Sequence, residues 1–282
     1  MPSEVCECHA DALFYMALCT YIMNMQHSNK KRLLRIASYN IRKARGLDGR
    51  RDPGRVVDVL NGLDADVIAL QEADMRLGDR PTAIPKAMIA QHTDFDIVPL
   101  AGNDVSLGWH GNAVLVRRGV TVDGAARIAL PGVEPRGAVA VTLADGLTVV
   151  GVHLGLLRHS RRKQLTAITA HLGKPNNVVV IGDMNEWSAA RGLEPLNADY
   201  ALHTPGRSFH AARPIASLDR FALSHDTTFI DAGVEQRLLA KQASDHLPIW
   251  ADVSYFEKST GIFAPASNLC VTAPITKSKV RE

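Results

Sequence analysis

The sequence is poor in cysteine, in aromatic residues and in net charge. All four cysteines lie in the flanks, at Cys6, Cys8, Cys19 and Cys270. None falls between Lys31 and Tyr255, so the central region needs no disulfide framework. Aromatic residues make up 5% of the chain and the net charge is +3, which disfavours tight, sequence-reading DNA binding. The mild positive charge still suits a substrate that carries phosphate.

The sequence also lacks an apolar run long enough to span a bilayer. Leu13–Met25 has the length of a signal-peptide core, but acidic residues precede it and Lys30, Lys31 and Arg32 follow it. Because a secretory signal has its positive charges before the apolar core, we expect no cleaved signal here. We interpret residues 1–30 as an extension outside the core, with weak membrane contact as the alternative, and we expect a cytoplasmic protein.

The central region alternates strand and helix signals without an internal repeat or a long linker. One helix is predicted to begin at Pro53 with Asp52 as its cap. Another is predicted over Ser160–Leu172, with the basic residues Arg161–Lys163 on its exposed start. Between two β-rich runs, Ala144–Gly146 has the composition of a hairpin turn.

This pattern predicts an α/β fold, a four-layer α/β sandwich. Two mostly antiparallel sheets would pack face to face, and helices would cover their outer faces. The domain is predicted to span residues 31–256. Residues 257–282 are rich in Ser, Thr, Pro and Ala and lack periodicity, so we predict a poorly ordered tail. Nothing in the sequence indicates an obligate protein partner, and we expect a monomer.

Polar groups end six apolar, strand-like runs that lie far apart in the sequence. The six patches are Ser38–Ile41, Ala69–Glu72, Val152–Leu154, Gly182–Asn185, Leu218–Arg220 and Ser244–His246. Strand ends that carry carboxylates, carboxamides and imidazoles suggest one convergent polar site. Such oxygens and nitrogens are what a hard divalent cation and a phosphate ester require.

In their order and spacing, the six patches resemble the endonuclease/exonuclease/phosphatase superfamily. That superfamily includes deoxyribonuclease I, abasic-site endonucleases, bacterial sphingomyelinases and inositol polyphosphate 5-phosphatases. The similarity covers about Arg35 to Val253. One patch alone has little weight, but six in the same order are strong evidence. The resemblance implies a deoxyribonuclease I-like fold and a hydrolase of phosphoester bonds.

Two further features refine the resemblance. The segments Gly46–Arg50 and Gly206–Arg220 look like the compact bacterial branch of the superfamily. His153 matches the histidine that contacts the scissile phosphate in the deoxyribonuclease and sphingomyelinase branches. Abasic-site endonucleases usually lack this histidine, which makes a dedicated DNA-repair role less favoured.

Three residues are candidates for the metal side of the site. Glu72, at a strand end, is the best candidate for a direct ligand of Mg²⁺ or Mn²⁺, since Mg²⁺ takes one or two carboxylates and keeps water. Asn40 offers a neutral oxygen beside it. The resemblance implies a further metal-side carboxylate at Asp245. By itself Glu72 would equally be an exposed strand-end carboxylate, and its partners favour the ligand.

Catalytic roles are expected for residues of three other patches. Asp183 and Asn185 are two apart, so on an extended segment both side chains would point the same way. The carboxylate would orient or deprotonate the attacking water, and the carboxamide would donate to the phosphate oxygens. The alternative for Asp183–Asn185 is a simple turn. Asp219 and His246 form the predicted dyad, in which His246 acts either as a base or as a charged stabiliser.

Two residues of second rank are Asn112 and Arg136, which lie where superfamily members often place phosphate-side or site-supporting groups. Either is equally consistent with a structural role. Arg42 and Lys43, just after Asn40, would line the mouth of the site or form a solvated loop.

The predicted function is therefore Mg²⁺- or Mn²⁺-dependent hydrolysis of a phosphoester, foremost a phosphodiester, by in-line attack of activated water. The substrates left open are nucleic acid, a phospholipid head group and a small phosphodiester. The alternative is a sphingomyelinase-like phospholipid or inositol-phosphate phosphodiesterase or phosphatase. A non-catalytic scaffold on the same fold is a third reading, which the complete set of polar groups disfavours.

Overall fold

Twelve strands form two six-stranded sheets in the computed structural model, which describes residues 30–188 and 191–258. The first sheet consists, in spatial order, of β11 (Thr228–Val234), β12 (Ile249–Phe256), β1 (Lys31–Asn40), β2 (Val67–Gln71), β4 (Ala113–Arg117) and β3 (Phe95–Ile97). The second consists of β5 (Val122–Ala129), β6 (Gly137–Leu143), β7 (Thr148–His153), β8 (Val178–Asp183), β10 (Asp219–Ser224) and β9 (Tyr200–His203). The predicted extension up to residue 29 and the predicted tail from residue 259 lie outside the described residues.

Each sheet is antiparallel except for one central parallel pair. In the first sheet β1 runs parallel to β2, and Asn40 lies opposite Gln71. In the second sheet β7 runs parallel to β8, and His153 lies opposite Asp183. Parallel strands end at the same edge of a sheet, so the polar groups at these strand ends share one edge.

The outer faces of both sheets are covered by helices. The four α-helices within the described ranges are α1 (Pro53–Asn61), α2 (Lys86–His92), α3 (Arg158–Leu172) and α4 (Leu238–Ala243). The apolar faces of α1, α2 and α4 share one core with the first sheet, whereas α3 packs on the second. The Asp52 carboxylate accepts from the Arg55 N–H at 3.0 Å, so the predicted cap of α1 is confirmed.

The two sheets are held together by alternate side chains of their strands. In β8, Val179 and Ile181 point into the core between the sheets, and Val178 and Val180 point outward toward α3. Both sets are buried, because each face of the sheet is covered. The predicted four-layer α/β sandwich is confirmed, and the site lies at one edge of this rigid double sheet.

The predictions missed three elements and misplaced one side chain. Edge strands β9 and β11 and the six-residue helix α4 are too short or too exposed to give a clear periodic pattern. The expectation that Arg161 lies on an exposed helix start was wrong. Arg161 is buried, because its guanidinium donates to the backbone oxygens of Gly155 and Leu156.

Candidate active site

The ends of the parallel strands meet across the two sheets. Asn40, the last residue of β1, donates through Nδ2 to Oδ2 of Asp183 at 3.0 Å, and Asp183 is the last residue of β8. His153, the last residue of β7, places Nε2 at 3.5 Å from the same oxygen. His246 reaches it from the other side, with Nε2 at 3.6 Å. Four of the six predicted patches therefore meet at one carboxylate oxygen.

Gly182 permits this close approach of β8 to β7. Its φ is +148°, and a Cβ built there would lie 2.0 Å from the carbonyl oxygen of Val152. Any side chain would push the strand end away and move Asp183 from its partners. The glycine before the carboxylate thus positions the site.

The predicted dyad of Asp219 and His246 is present in the structure. Nδ1 of His246 lies 2.9 Å from Oδ2 of Asp219, and the hydroxyl of Ser208 donates to the same oxygen at 2.5 Å. This contact assigns the proton to Nδ1 and leaves Nε2 facing Asp183. The ring of Phe209 lies 5.0 Å from that of His246, centroid to centroid, and shields the pair from water.

Burial and mutual contact shift the pKa values of these groups. Burial raises the pKa of Asp183, and the neighbouring Asp219 raises it further, against the opposing effects of His246 and Asn40. Burial alone would lower the pKa of His246, but Asp219 and Asp183 outweigh it and raise that pKa. The pKa of His153 is lowered by burial and by Arg136 and His246. The centre thus favours an imidazolium at His246 and a neutral ring at His153.

The carboxylate of Glu72 faces the positive charge of Lys43. This carboxylate contacts the ammonium group of Lys43, and the Lys43 N–H donates to the Glu72 carbonyl oxygen at 3.1 Å. Burial and the nearby Arg76 lower the pKa of Lys43 to about 8. Of the two alternatives for Lys43, a residue at the mouth of the site or part of a solvated loop, the contact with Glu72 favours the first.

The donor set at Glu72 fits a hard divalent cation. The carboxylate already holds a cationic group, it lines a cavity of about 260 Å³, and the carboxamide of Asn40 lies on the neighbouring strand. Asp183, Asp219 and His246 also offer ligand atoms within 4.8 Å of one another. The hydrogen bond of the dyad uses two of those three residues, whereas the Glu72 carboxylate lines the cavity, so Glu72 is the better-placed ligand. The carboxamide of Asn40 is itself engaged, since Nδ2 donates to Asp183 and Oδ1 accepts from the Arg42 N–H at 3.1 Å.

Asp245 lies at the mouth of the site, where its carboxylate pairs with the Arg42 guanidinium at 3.2 Å. Its role on the metal side remains a prediction. The hydroxyl of Ser244 donates to the Asn40 carbonyl oxygen at 2.6 Å, which fastens the patch before His246 to the end of β1.

The expectation of an extended backbone through Asn185 was wrong. Asn185 has a φ of +50°, and its N–H donates to Oδ1 of Asp183 at 2.9 Å, which is a side-chain-capped turn. Its Nδ2 donates to the carbonyl oxygen of Leu154 at 2.8 Å. Asn185 thus stays beside Asp183, with a donor already engaged by the loop after β7.

The two residues of second rank occupy different environments. Arg136 lines the same cavity as Glu72 and His153, and its guanidinium pairs with Glu134 at 2.8 Å. Asn112 is buried and donates to the Gly137 carbonyl oxygen at 2.8 Å, which ties the first sheet to the second. A phosphate-binding role remains a prediction for both, and the cavity favours Arg136.

The loop after Asn185 is held by a buried acid that the sequence did not reveal. Glu186 accepts from Arg161 at 2.6 Å and from Arg158 at 3.0 Å. The guanidinium of Arg220 donates to the Glu186 carbonyl oxygen at 2.6 Å. The only signal in the sequence was a glutamate that directly follows a predicted catalytic patch.

Comparison with known proteins agrees with this geometry. The family model described as the endonuclease/exonuclease/phosphatase family matches residues 37–246. The chain belongs to this family. The match begins in β1 and ends at His246, so it includes all six patches. Members of this family are hydrolases of phosphoester bonds, which is the general activity expected of this chain.

The relatives compared below share 25% sequence identity or less with this chain. The uncharacterized protein YbhP of Escherichia coli is 25% identical over 222 residues, which cover 70% of this chain and 86% of YbhP. A family structure from Beutenbergia cavernae has a TM-score of 0.62 at 21% identity and covers 79% of this chain and 71% of its own. D. rerio TDP2 complexed with single strand DNA product has a TM-score of 0.59 at 16% identity, covering 78% and 98%. The two structural similarities establish the fold alone.

Replacing Glu186 by Gln should destabilise the protein by about 3 kcal/mol near neutral pH, because a buried arginine would lose its counter-charge. Burial raises the Glu186 pKa, but the hydrogen bonds from Arg158, Ser188 and Arg161 outweigh it and lower that pKa to about 2. A folded-state pKa below the unfolded one stabilises the protein above about pH 4.3 and loses that effect as the pH falls.

Urea unfolding of both proteins at several pH values measures this difference. The gap in unfolding free energy should be largest near neutrality and should narrow below about pH 4.3. Glu194→Gln, which removes a half-exposed carboxylate that pairs with Arg162, is the matched control. A gap that stayed constant with pH would contradict the role of the charge.

Proposed function

We propose that this protein hydrolyses phosphodiester bonds with the help of Mg²⁺ or Mn²⁺, by in-line attack of water. The observation that carries the proposal is the oxygen of Asp183, which faces His153 and His246 and is held by Asn40 beside Glu72. His153 connects this group to Glu72, because it faces the Asp183 oxygen and lines the same cavity as Glu72.

Asp183 is the group suited to accept the proton of the attacking water. Its raised pKa gives the carboxylate more affinity for a proton than an exposed one would have. The hydrogen bond from Asn40 holds the carboxylate in place. The turn at Asn185 fixes its second oxygen, so the acceptor needs little reorganisation.

His246 is suited to stabilise negative charge on the phosphoryl oxygens. The Asp219 carboxylate fixes its ring and favours the imidazolium, so Nε2 carries a proton toward the centre. Of the two roles considered for His246, the charged stabiliser is the one supported. Neutral His153 supplies a second polar contact on the same side.

Glu72 and Asn40 would hold the divalent cation, which when bound acts as a Lewis acid on a phosphoryl oxygen. Lys43 would have to leave the Glu72 carboxylate to make room for it. Two points favour a diester: the resemblance of His153 to the deoxyribonuclease and sphingomyelinase branches, and the single strand DNA product held by TDP2 on this fold.

Hydrolysis of bis-p-nitrophenyl phosphate with Mg²⁺ tests the proposal. Asp183→Asn and His246→Ala should each reduce kcat about 10²- to 10⁴-fold, because each removes a group that acts on the proton or the developing charge. EDTA should abolish activity, and added Mg²⁺ or Mn²⁺ should restore it.

The matched control is Asp123→Asn, which removes an exposed carboxylate from β5 at the edge of the second sheet. It should leave kcat unchanged. Activity that survives EDTA would overturn the metal, and an Asp183→Asn variant with wild-type kcat would overturn the mechanism.

A phospholipid head group is the second candidate substrate. Four exposed apolar residues, Leu156, Leu157, Trp187 and Ile215, lie in the loops beside His153, Asn185 and Asp219. Apolar side chains exposed around a polar site are a feature of surfaces that contact lipid or another protein. Among the described residues, no helix has both the length and the apolar character to cross a membrane.

The double variant Leu156→Ser/Leu157→Ser distinguishes a phospholipid substrate from a nucleic-acid substrate. On sphingomyelin vesicles it should lose about tenfold or more in turnover, because each leucine would contribute about 1.5 kcal/mol or more on insertion into the lipid. On bis-p-nitrophenyl phosphate the double variant should have the turnover of the wild type. The control Leu33→Ser, at an exposed leucine of β1, should have wild-type turnover on both substrates. Equal turnover of vesicles by the wild type, the double variant and Leu33→Ser would contradict a phospholipid substrate.

A further inference from the structure

The cavity beside Glu72 is lined by more residues than the predicted centre uses. It has a volume of about 260 Å³, and Glu72 and His153 are among its lining residues. Arg80, His110 and Arg136 line it as well. None of the roles proposed above uses Arg80 or His110.

Arg80 is oriented by a neutral partner. Its Nη1 lies 2.9 Å from Nδ1 of His110, and the His110 ring also bonds to the carbonyl group of Pro135. Because Nδ1 must accept from the guanidinium, the ring donates from Nε2 to Pro135 and is uncharged. Burial and Arg80 lower the His110 pKa, in agreement with this tautomer. The ring packs edge-on against Trp109, with centroids 4.4 Å apart.

The charge of Arg80 remains available. No carboxylate among residues 30–188 and 191–258 forms an ion pair with it, in contrast to Arg136, which pairs with Glu134. Asp74, which lines the same cavity, is buried and turns its oxygens to the N–H groups of Leu107 and Gly108, at 2.6 and 3.3 Å. A guanidinium fixed by a neutral ring keeps its remaining donors and its full charge for an anion.

The main chain also holds Arg80 in place. Its φ is +53°, its carbonyl oxygen accepts from the hydroxyl of Ser106 at 2.7 Å, and its N–H donates to the Leu77 carbonyl oxygen at 3.3 Å. The site is therefore built before any ligand arrives, which lowers the entropy lost on binding.

We propose that this cavity is a second anion subsite, in which Arg80 binds a phosphate group that the substrate carries beside its scissile phosphate. The proposal rests on the proposed function, because Glu72 and His153 line the same cavity. The substrate class is then a phosphodiester with a second phosphate one unit away. That phosphate is either a terminal monoester or the next phosphodiester of a nucleic-acid strand.

Calorimetric binding of three nucleotides to the full chain, with EDTA present so that the dinucleotide is not hydrolysed, tests the subsite. The ligands are thymidine 5′-monophosphate, thymidine 3′,5′-bisphosphate and the 5′-phosphorylated thymidine dinucleotide. The wild type should bind the bisphosphate about tenfold or more tightly than the monophosphate, as expected for one charged hydrogen-bonded contact. A gain with the dinucleotide assigns the subsite to a strand phosphate, and its absence assigns it to a terminal monoester.

Arg80→Gln should abolish the advantage of the bisphosphate while leaving monophosphate affinity unchanged. His110→Phe keeps the ring packing on Trp109 but loses the acceptor, so it should reduce the advantage only in part. The matched control is Arg118→Gln, which removes the same charge from an exposed position beyond the far end of β4 and should retain the full advantage.

Equal binding of monophosphate and bisphosphate by the wild type would overturn the subsite, as would an advantage that survives Arg80→Gln. Arg80→Lys, which keeps the charge without the fork, should retain part of the advantage if the glutamine variant unfolds. Because binding is measured without turnover, loss of the subsite and loss of the proposed hydrolysis are separate results. An Arg80-dependent advantage in a protein that cleaves no diester would refute the reaction alone.

Discussion

A buried carboxylate of the second sheet that accepts a hydrogen bond from the first sheet is the constraint on which the site depends. Oδ2 of Asp183 receives the Asn40 carboxamide from the first sheet and faces the imidazoles of His153 and His246. A buried carboxylate is costly unless it is paired and hydrogen-bonded, so these groups must be in place together. The double sheet supplies that rigidity, because each sheet directs its one parallel strand pair to the same edge.

The site has two halves with different chemistry. One half holds a carboxylate, two imidazoles and the Asp219 carboxylate in a buried hydrogen-bonded group, which suits proton transfer and charge stabilisation. The other half, around Glu72, is lined by cationic side chains and opens into the cavity. There the Glu72 carboxylate would bind a cation, and Arg136 and Arg80 would bind phosphate groups.

Much of this could be predicted from the sequence, because strand ends and apolar runs are local signals. Asp183 ends β8, as predicted. The prediction that Asp219 and His246 also end strands was wrong, because Asp219 begins β10 opposite Asp183 and His246 lies between α4 and β12. The turn at Asn185 and the burial of Arg161 could not be predicted in this way, since both depend on partners supplied by distant loops. The same holds for Arg80 and His110, which are 30 residues apart and meet only through folding.

The most direct measurement is an NMR titration of the His246 ring in the wild type and in Asp183→Asn. We predict a His246 pKa above the ordinary imidazole range in the wild type, because the charges of Asp219 and Asp183 outweigh the effect of burial. In the variant, which lacks one of those charges, the His246 pKa should be lower. A His246 that titrates in the ordinary range, and equally in both proteins, would contradict the central claim that the Asp183 carboxylate holds the site together.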